Sequence, residues 1–379
     1  MANVLTDLAA DLYKAADVVG RELVGFIPSA TINASPEEVA VGSPVRSFFT
    51  REATVNDITP SMTIPEGDDQ TVDNKTLNLT KQRGVQIPWT GEDVKYVNRG
   101  SGFETIYGDQ VLQAMRQLVN EMEADLATEA YQNASRSVGT AGTTPFDSNF
   151  DLIAEARQIL VDNGMPTQDR NVSAVIDTFA GTKLRNLAQL QKANENGSDQ
   201  LLRQGTLLDL QGLMIKESAQ VQNHTAGTGS SYQTDAGLSE GDTTITLDTG
   251  SGTILAGDII SFDGDSNEYV VVEAFSGGSL KIAKPGLIND VADNTAVTVS
   301  SDRKANVAFH RRALEIAMRA PANPEGGDAA DDRITIQDPF SGLIFQVSAY
   351  KGYRKAMFDV AAVWGYKAWK PEFIASIAG

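Results

Sequence analysis

Leu112, Met115, Val119, Met122, Leu126 and Ala130 recur at intervals of three and four residues, the spacing of one face of an α-helix. The stretch that holds them, 103 to 135, has no proline and a single glycine, Gly108, while Gly139 and Gly142 mark the way out. At about 1.5 Å per residue it predicts a helix of roughly 45–50 Å, too long to sit inside one small globule and suited to a flat or elongated subunit. Glu121, Glu123, Asp125 and Glu129 lie off the stripe. Glu121 and Asp125, one turn apart, read as a solvated helix face.

The same period appears at the start, where Leu5, Leu8, Leu12 and Ala15 or Ala16 share a face and Asp7, Asp11 and Asp17 lie elsewhere. This predicts a short amphipathic helix over 4 to 19 whose apolar side needs a partner. Pro28, Pro36 and Pro44 then break the pattern. From about 47 to 95 the texture becomes extended. Leu77 and Leu79, then Val85, Ile87 and Trp89, alternate as strands with one buried face do. The preceding ITPSMTIPEGDDQ, rich in Pro, Gly and Asp, predicts an exposed tip. The segment reads as a long hairpin whose apolar positions exceed what its own subunit covers, so Ile64, Leu77, Leu79 and Ile87 are candidates for packing on a neighbour.

Beyond the long helix the pattern is mixed: a helix over 148–163 stopped by Gly164 and Pro166, a strand at 172–177, a helix in TFAGTKLRNLAQLQKA and a strand at 213–221. Between Tyr232 and Asp302 the helical period vanishes. Short strand-like runs are separated by turn residues, Asp263-Gly264 among them, a strong hairpin signal. About six strands in ~70 residues predict a small β-barrel, entered through the Gly/Ser/Thr stretch 225–231 and left near Arg303, with few contacts crossing its boundary. The host fold then resumes. NVAFHRRALEIAMRAP predicts a strand running into a short helix closed by Pro321. RITIQ, GLIFQVSAY and KAMFDVAAVW predict three strands, the last two at hairpin distance. KPEFIASIAG predicts a helical turn or two beginning at Pro371.

Charge changes this picture more than composition does. The 379 residues carry a formal net charge of −19, which argues against a protein whose task is to grip nucleic-acid phosphates and is compatible with plain solubility first, and with lining a space that holds nucleic acid without sticking to it. The segment 232–302 alone has twelve acidic residues against Lys281 and Lys284. The absence of cysteine excludes disulfides and thiolate metal sites. The acidic N-terminus does not read as a signal peptide and no apolar run reaches membrane-spanning length, so a cytosolic product is expected. Chemistry is sparse. His224 and His310 are the two histidines, too few for a His-based metal cluster or triad. Asp263–Glu268 hints at a calcium loop, but Glu268 and Ala274 stand where such a loop needs Gly and Glu, and a hairpin turn fits better. The aromatics Tyr350, Tyr353, Phe358, Trp364, Tyr366 and Trp369 read as core or interface packing. No catalytic, cofactor-binding or metal-ligating residue is assigned.

Three stretches, MTIPEGDDQTVDNKTLNLTKQRGVQIPWTGEDVK (62–95), VAFHRRALEIAMR (307–319) and DPFSGLIFQVSAYKGYRKAMFDVAAVWGYKAWKPEFIASI (338–377), together with the order of the parts, resemble the major capsid proteins of tailed bacteriophages. The likeness is to coat proteins of short-tailed phages with an inserted β-domain. It implies an α+β fold with an N-terminal arm (1–45), an extended loop reaching over the adjacent subunit (46–95), and a peripheral domain with a spine helix (96–147 and 341–379). An axial domain (148–227 and 303–340) and the inserted barrel (228–302) complete it. It implies a non-enzymatic subunit that self-assembles as hexamers and pentamers into an icosahedral shell around packaged double-stranded DNA. Such a subunit is made in the host bacterial cytoplasm and resides in the virion, without cofactor or membrane, and its partners are itself, a scaffolding protein and a portal. In that reading Leu5, Leu8, Leu12, Ile64, Leu77, Leu79 and Ile87 are subunit-interface candidates, and Asp7, Asp11 and Asp17 are scaffold-contact candidates. The alternatives are a bacterial nanocompartment shell protein and a soluble enzyme or carbohydrate-binding protein with an accessory β-module.

Overall fold

A computed structural model describes residues 9–50, 57–63, 72–97, 103–191, 209–338 and 341–379. The chain opens with helix α1 (Ala9–Glu22), a 3₁₀ turn (Ile27–Ser29) and strands β1 (Thr31–Val39), β2 (Pro44–Thr50), β3 (Val72–Asn78) and β4 (Lys81–Thr90). Helices α2 (Gly91–Val97) and α3 (Phe103–Gln132) follow, then β5 (Arg136–Val138), α4 (Asp151–Asp162), β6 (Val172–Ile176), α5 (Thr178–Asn186), α6 (Ala188–Gln191), β7 (Met214–Glu217) and β8 (Asn223–His224). Six short strands come next: β9 (Tyr232–Thr234), β10 (Thr244–Asp248), β11 (Ile259–Phe262), β12 (Glu268–Ser276), β13 (Ser279–Ile282) and β14 (Ala296–Val299). The chain closes with β15 (Arg303–His310), β16 (Leu314–Pro321), β17 (Ala330–Gln337), β18 (Ile344–Gly352), β19 (Lys355–Ala368) and β20 (Ile374–Ala378).

One sheet runs β1-β16-β19-β18-β17, with β4 added on the free edge of β19. Strand β19 is its axis. Phe358, Val360, Ala362 and Trp364 point from one face into the main core beneath α3, while Val363 points from the other into a small core with Val45, Leu77, Leu79 and Ala317. That is the two-residue alternation of a strand covered on both sides. The second sheet runs β7-β6-β15-β20-β5. Helix α3 lies between the two sheets and α1. Met115, Val119, Met122, Leu126 and Ala130 are buried as their spacing predicts, and so are Val111, Ala114, Leu118, Ala127 and Tyr131 on adjoining faces. The long helix is therefore the shared core of the body.

Several sequence expectations are corrected here. The run 314–320 is strand and not helix: all eight residues of β16 are buried, and a strand covered on both faces carries an apolar run that periodicity cannot separate from a helix. For the same reason IASIA, expected as helix, forms β20 between β15 and β5. The arm beyond α1 is not irregular, because β1 pairs in parallel with β16, with Pro36 at the point where the register shifts between Ala34 and Glu38. Strands β3 and β4 do not form a hairpin with each other; β3 pairs with β2 and β4 with β19. The division at 340/341 cuts through a sheet, since β16 and β17 pair with β19 and β18, while β20 joins β15.

Candidate assembly surfaces

The arm is clipped to the long helix by one buried carboxylate. Glu123 accepts from the backbone N–H of Phe26 at 2.7 Å and of Ile27 at 3.1 Å, the donors that a 3₁₀ turn starting at Ile27 leaves unpaired. The Phe26 ring stacks on Phe309 at 5.9 Å, and Lys216 donates to Ser29 at 2.8 Å. Burial pushes the Glu123 carboxyl above its ordinary range, against the pull of the two amides and of Lys216.

The base of the extended loop is held by the other acids of α3. Lys81 sits 2.7 Å from Asp125 and 3.4 Å from Glu121, and Arg83 sits 3.3 Å from Glu121. Trp364 donates its indole N–H to Asp125 at 2.9 Å, and the Ala368 amide donates to Glu129 at 3.0 Å. The solvated-face reading of Glu121 and Asp125 is thus corrected: they bind the loop base and β19 to the helix. At Gly365 the loop crosses so closely that a Cβ would stand 2.3 Å from the Asn78 carbonyl oxygen, so only glycine fits.

Leu77, Leu79 and Ile87 are 1%, 0% and 8% exposed within their own chain. Their burial needs no neighbour, and the reason for reading them as interface residues is removed. Sequence alternation missed the cover because segments remote in the chain supply it: β2 and the far face of β19 for Leu77 and Leu79, and the main core for Ile87. Ile64 lies outside the described residues. Among the described residues of the loop, the large apolar side chains that stand exposed are Ile58 and Met62, at 100% and 108% relative exposure. Leu12 is also buried, in the main core, so the apolar face of α1 finds its partner in the same chain. Leu5, Leu8 and Asp7 lie outside the described residues, as does the side chain of Asp11. Asp17 accepts from Arg21 at 2.9 Å on the exposed side of α1.

The six strands β9–β14 pair in a closed cycle, β9-β10-β13-β12-β11-β14 and back to β9, every pair antiparallel. Their inward residues, among them Tyr232, Ile245, Phe262, Tyr269, Val271 and Leu280, form a separate core. The β11–β12 connection turns at Gly264, φ 86°, as the Asp-Gly signal predicts. The expectation of few crossing contacts is corrected. Ile259 and Val270 alternate away from the ring and belong to the main core. The start of β12 pairs with β11 on one edge and with β5 on the other, Glu268 opposite Ser137 and Tyr269 opposite Arg136. Arg136 donates to Asn267 at 3.0 Å and to Asn163 at 3.3 Å.

Deeper in the joint, buried His224 meets buried Asp258 at 2.7 Å, and Asp258 also accepts from the amides of Leu255 and Gly227. Arg303 donates to the Gly257 carbonyl; burial pulls its guanidinium down to about 10, so it stays cationic at neutral pH. Gly257, φ +93°, lies where a Cβ would press within 2.7 Å of the Tyr131 ring, which fixes glycine there. An isolated 228–302 fragment would expose Ile259 and Val270. It is expected to keep β-type circular dichroism, to bind a hydrophobic dye and to melt well below the full chain, as ~70 residues without a disulfide are marginal. A fragment as stable as the full chain would contradict this coupling.

These polar groups tie elements together. His310 is fully buried, accepts from the Arg312 amide and faces Asp169 at 2.9 Å, and Asp265 accepts from Asn267 and Tyr269 close by and from Asn289 beyond β13. Among the described residues no group of three His, Cys, Asp or Glu side chains is placed to hold a metal ion, and no helix is long and apolar enough to cross a membrane.

No protein-family model matches the chain, and no curated protein does. Among solved structures, the fold is similar to that in the capsid structure of the cyanophage P-SCSP1u, with a TM-score of 0.52 at 11% identity over 94% of this chain and 88% of that one. A chain of Mycobacterium phage Che8 aligns at a TM-score of 0.48 and 15% identity over 89% of this chain and 84% of that one. The virus-like particle from Pyrococcus furiosus aligns at 0.43 and 8% identity over 97% of each chain. The mixed α+β architecture thus resembles the folds of solved phage-capsid structures.

Proposed function

We propose that this chain is the major capsid protein of a tailed bacteriophage, a non-enzymatic subunit that assembles in many copies into a closed shell around packaged DNA. The observation that carries the reading is the likeness of nearly the whole chain to a cyanophage capsid subunit. The layout is consistent with it: an arm and an extended loop base, each clipped to one helix by buried or half-buried carboxylates, leave a rigid body from which the loop tip with Ile58 and Met62 projects. An apolar tip of that kind needs cover from elsewhere.

In this reading residues 1–45 are the arm, 46–95 the extended loop, α3 with the β19 sheet the peripheral domain, the β15 sheet the axial domain, and 228–302 an inserted β-barrel. The acids Asp7, Asp11 and Asp17 of the N-terminal segment are a landing site for a basic helix of a scaffolding protein, with a portal completing the assembly. The −19 net charge keeps an inner wall from adhering to phosphates. The expected result for purified protein is sedimentation as capsomers and particles, with shells visible by electron microscopy. A species that stays monomeric at every concentration and salt, with or without a co-expressed scaffold, would reject the proposal.

A further inference from the structure

The hairpin that joins β18 to β19 ends in the sequence KGYRK, residues 351–355. Gly352 and Lys355 still pair across it, so the turn itself is the two residues Tyr353 and Arg354. Two-residue hairpin turns favour Asn-Gly or Asp-Gly because their backbone enters the left-handed region. Here Arg354 does so, with φ 56°, at a position where a non-glycine side chain is strained. Strain kept at an exposed turn points to a use for the side chains that impose it. Those side chains face solvent. Tyr353 is 91% exposed, the Arg354 guanidinium stands 6.0 Å from its ring centre, and neither Arg354 nor Lys355 has a carboxylate partner among the described residues. A cationic, aromatic tip stands out on a chain of net charge −19.

Beside this tip, at the same end of the sheet, lies the acidic stretch 325–332, the loop before β17 with the strand's first residues, which holds Glu325, Asp328, Asp331 and Asp332. The two patches touch: Lys351 reaches Asp331 at 2.5 Å, and Tyr350 donates to Asp328 at 2.9 Å. Asp328 also receives Arg333 at 2.6 Å, whereas Glu325 is exposed and unpaired among the described residues. One copy therefore presents a basic-aromatic projection next to an acidic stretch. That arrangement is complementary to itself, so the tip of each copy can face the acidic stretch of the other, as at a two-fold contact.

We propose that the 351–355 tip docks on the acidic 325–332 stretch of a second copy of this chain, with Arg354 and Lys355 meeting its carboxylates and Tyr353 supplying the packed area. The inference rests on the shell reading and adds the residues that join copies at this end of the sheet. Arg and Tyr are the side chains that concentrate binding energy at such contacts, and opposed charges set their register and exclude wrong partners.

The test uses the full chain, compared by sedimentation velocity and thermal melting. Tyr353→Asn/Arg354→Gly installs the turn that the backbone prefers, so it should melt no lower than the wild type while raising the concentration needed for assembly about tenfold. Arg354→Glu should do the same or worse, and adding Glu325→Lys to it should restore most of the loss. If the wild type assembles and the Asn-Gly variant assembles equally well, the docking is overturned and the shell reading stands. Failure of Glu325→Lys to rescue would overturn the acidic stretch as the seat. A tip variant that keeps self-association but loses binding to a double-stranded DNA probe would overturn the inference in favour of a phosphate contact. A wild type that never associates would overturn both.

Discussion

Replacing Glu123 by alanine is expected to lower the free energy of unfolding by about 3 kcal/mol, the usual cost of leaving buried polar partners unpaired. The carboxylate takes both the Phe26 and Ile27 amides, and among the described residues neither amide has another acceptor. Glu123→Gln is the informative companion: its amide nitrogen would face one of the two N–H donors, so it keeps one bond and loses the other, at about half the cost. The two variants also separate in pH. Burial raises the folded carboxyl above its ordinary range, so the native state holds this proton more tightly than the unfolded chain. The resulting stabilisation is fully present below the ordinary glutamate range and is lost as pH rises through the raised folded value. Denaturant titrations of wild type and Glu123→Gln across that window should show the wild type gaining stability on acidification relative to the variant. Parallel profiles would mean that the carboxyl is not buried as described. Because the arm is fastened here, Glu123→Ala should also make residues 25–30 exchange their amide protons far faster.

Trp364→Ala is expected to cost more, about 4 kcal/mol, in the range for removing a large aromatic from a packed core. Trp364 is 0% exposed and sits where β19 meets three elements at once. It pairs with Met318 of β16 on one side and Lys81 of β4 on the other, and its indole N–H reaches Asp125 of α3. Truncation opens a cavity between helix and sheet that these fixed elements cannot close. It also leaves Asp125 with Lys81 alone, at 2.7 Å. Trp364→Phe retains most of the ring and loses the hydrogen bond, and is expected to cost about 2 kcal/mol. Urea unfolding with an unchanged slope would read these as stability differences. An alanine variant within 1 kcal/mol of wild type, roughly the cost of one ordinary hydrogen bond, would show that the site collapses and that the core is looser than described.

The sequence by itself determined the elements whose signal is local. The three-and-four spacing from Leu112 to Ala130 located α3, the Asp263-Gly264 turn located a hairpin, and the loss of helical period after Tyr232 marked the six-stranded ring. Each depends on the order of neighbouring residues, and helix period and turn chemistry are properties of neighbours. The tertiary structure alone decided the rest. Leu77 and Leu79 alternate as a half-buried strand should, but alternation fixes the face and not the partner, and β2 and β19 turned out to cover them from within the chain. LEIAMRAP and IASIA read as helix, because an apolar run that sheets cover on both faces carries no period to mark it as strand. The acids of α3 looked solvated because a charge pattern carries no record of what folds against it. Only once residues 25–30, 81–83 and 364–368 are brought to the helix do Glu123, Asp125 and Glu129 acquire donors. A carboxylate's surroundings are set by chain segments about 40 to 240 positions away, and that distance, more than any weakness of the local signal, kept the joints of this molecule out of its sequence.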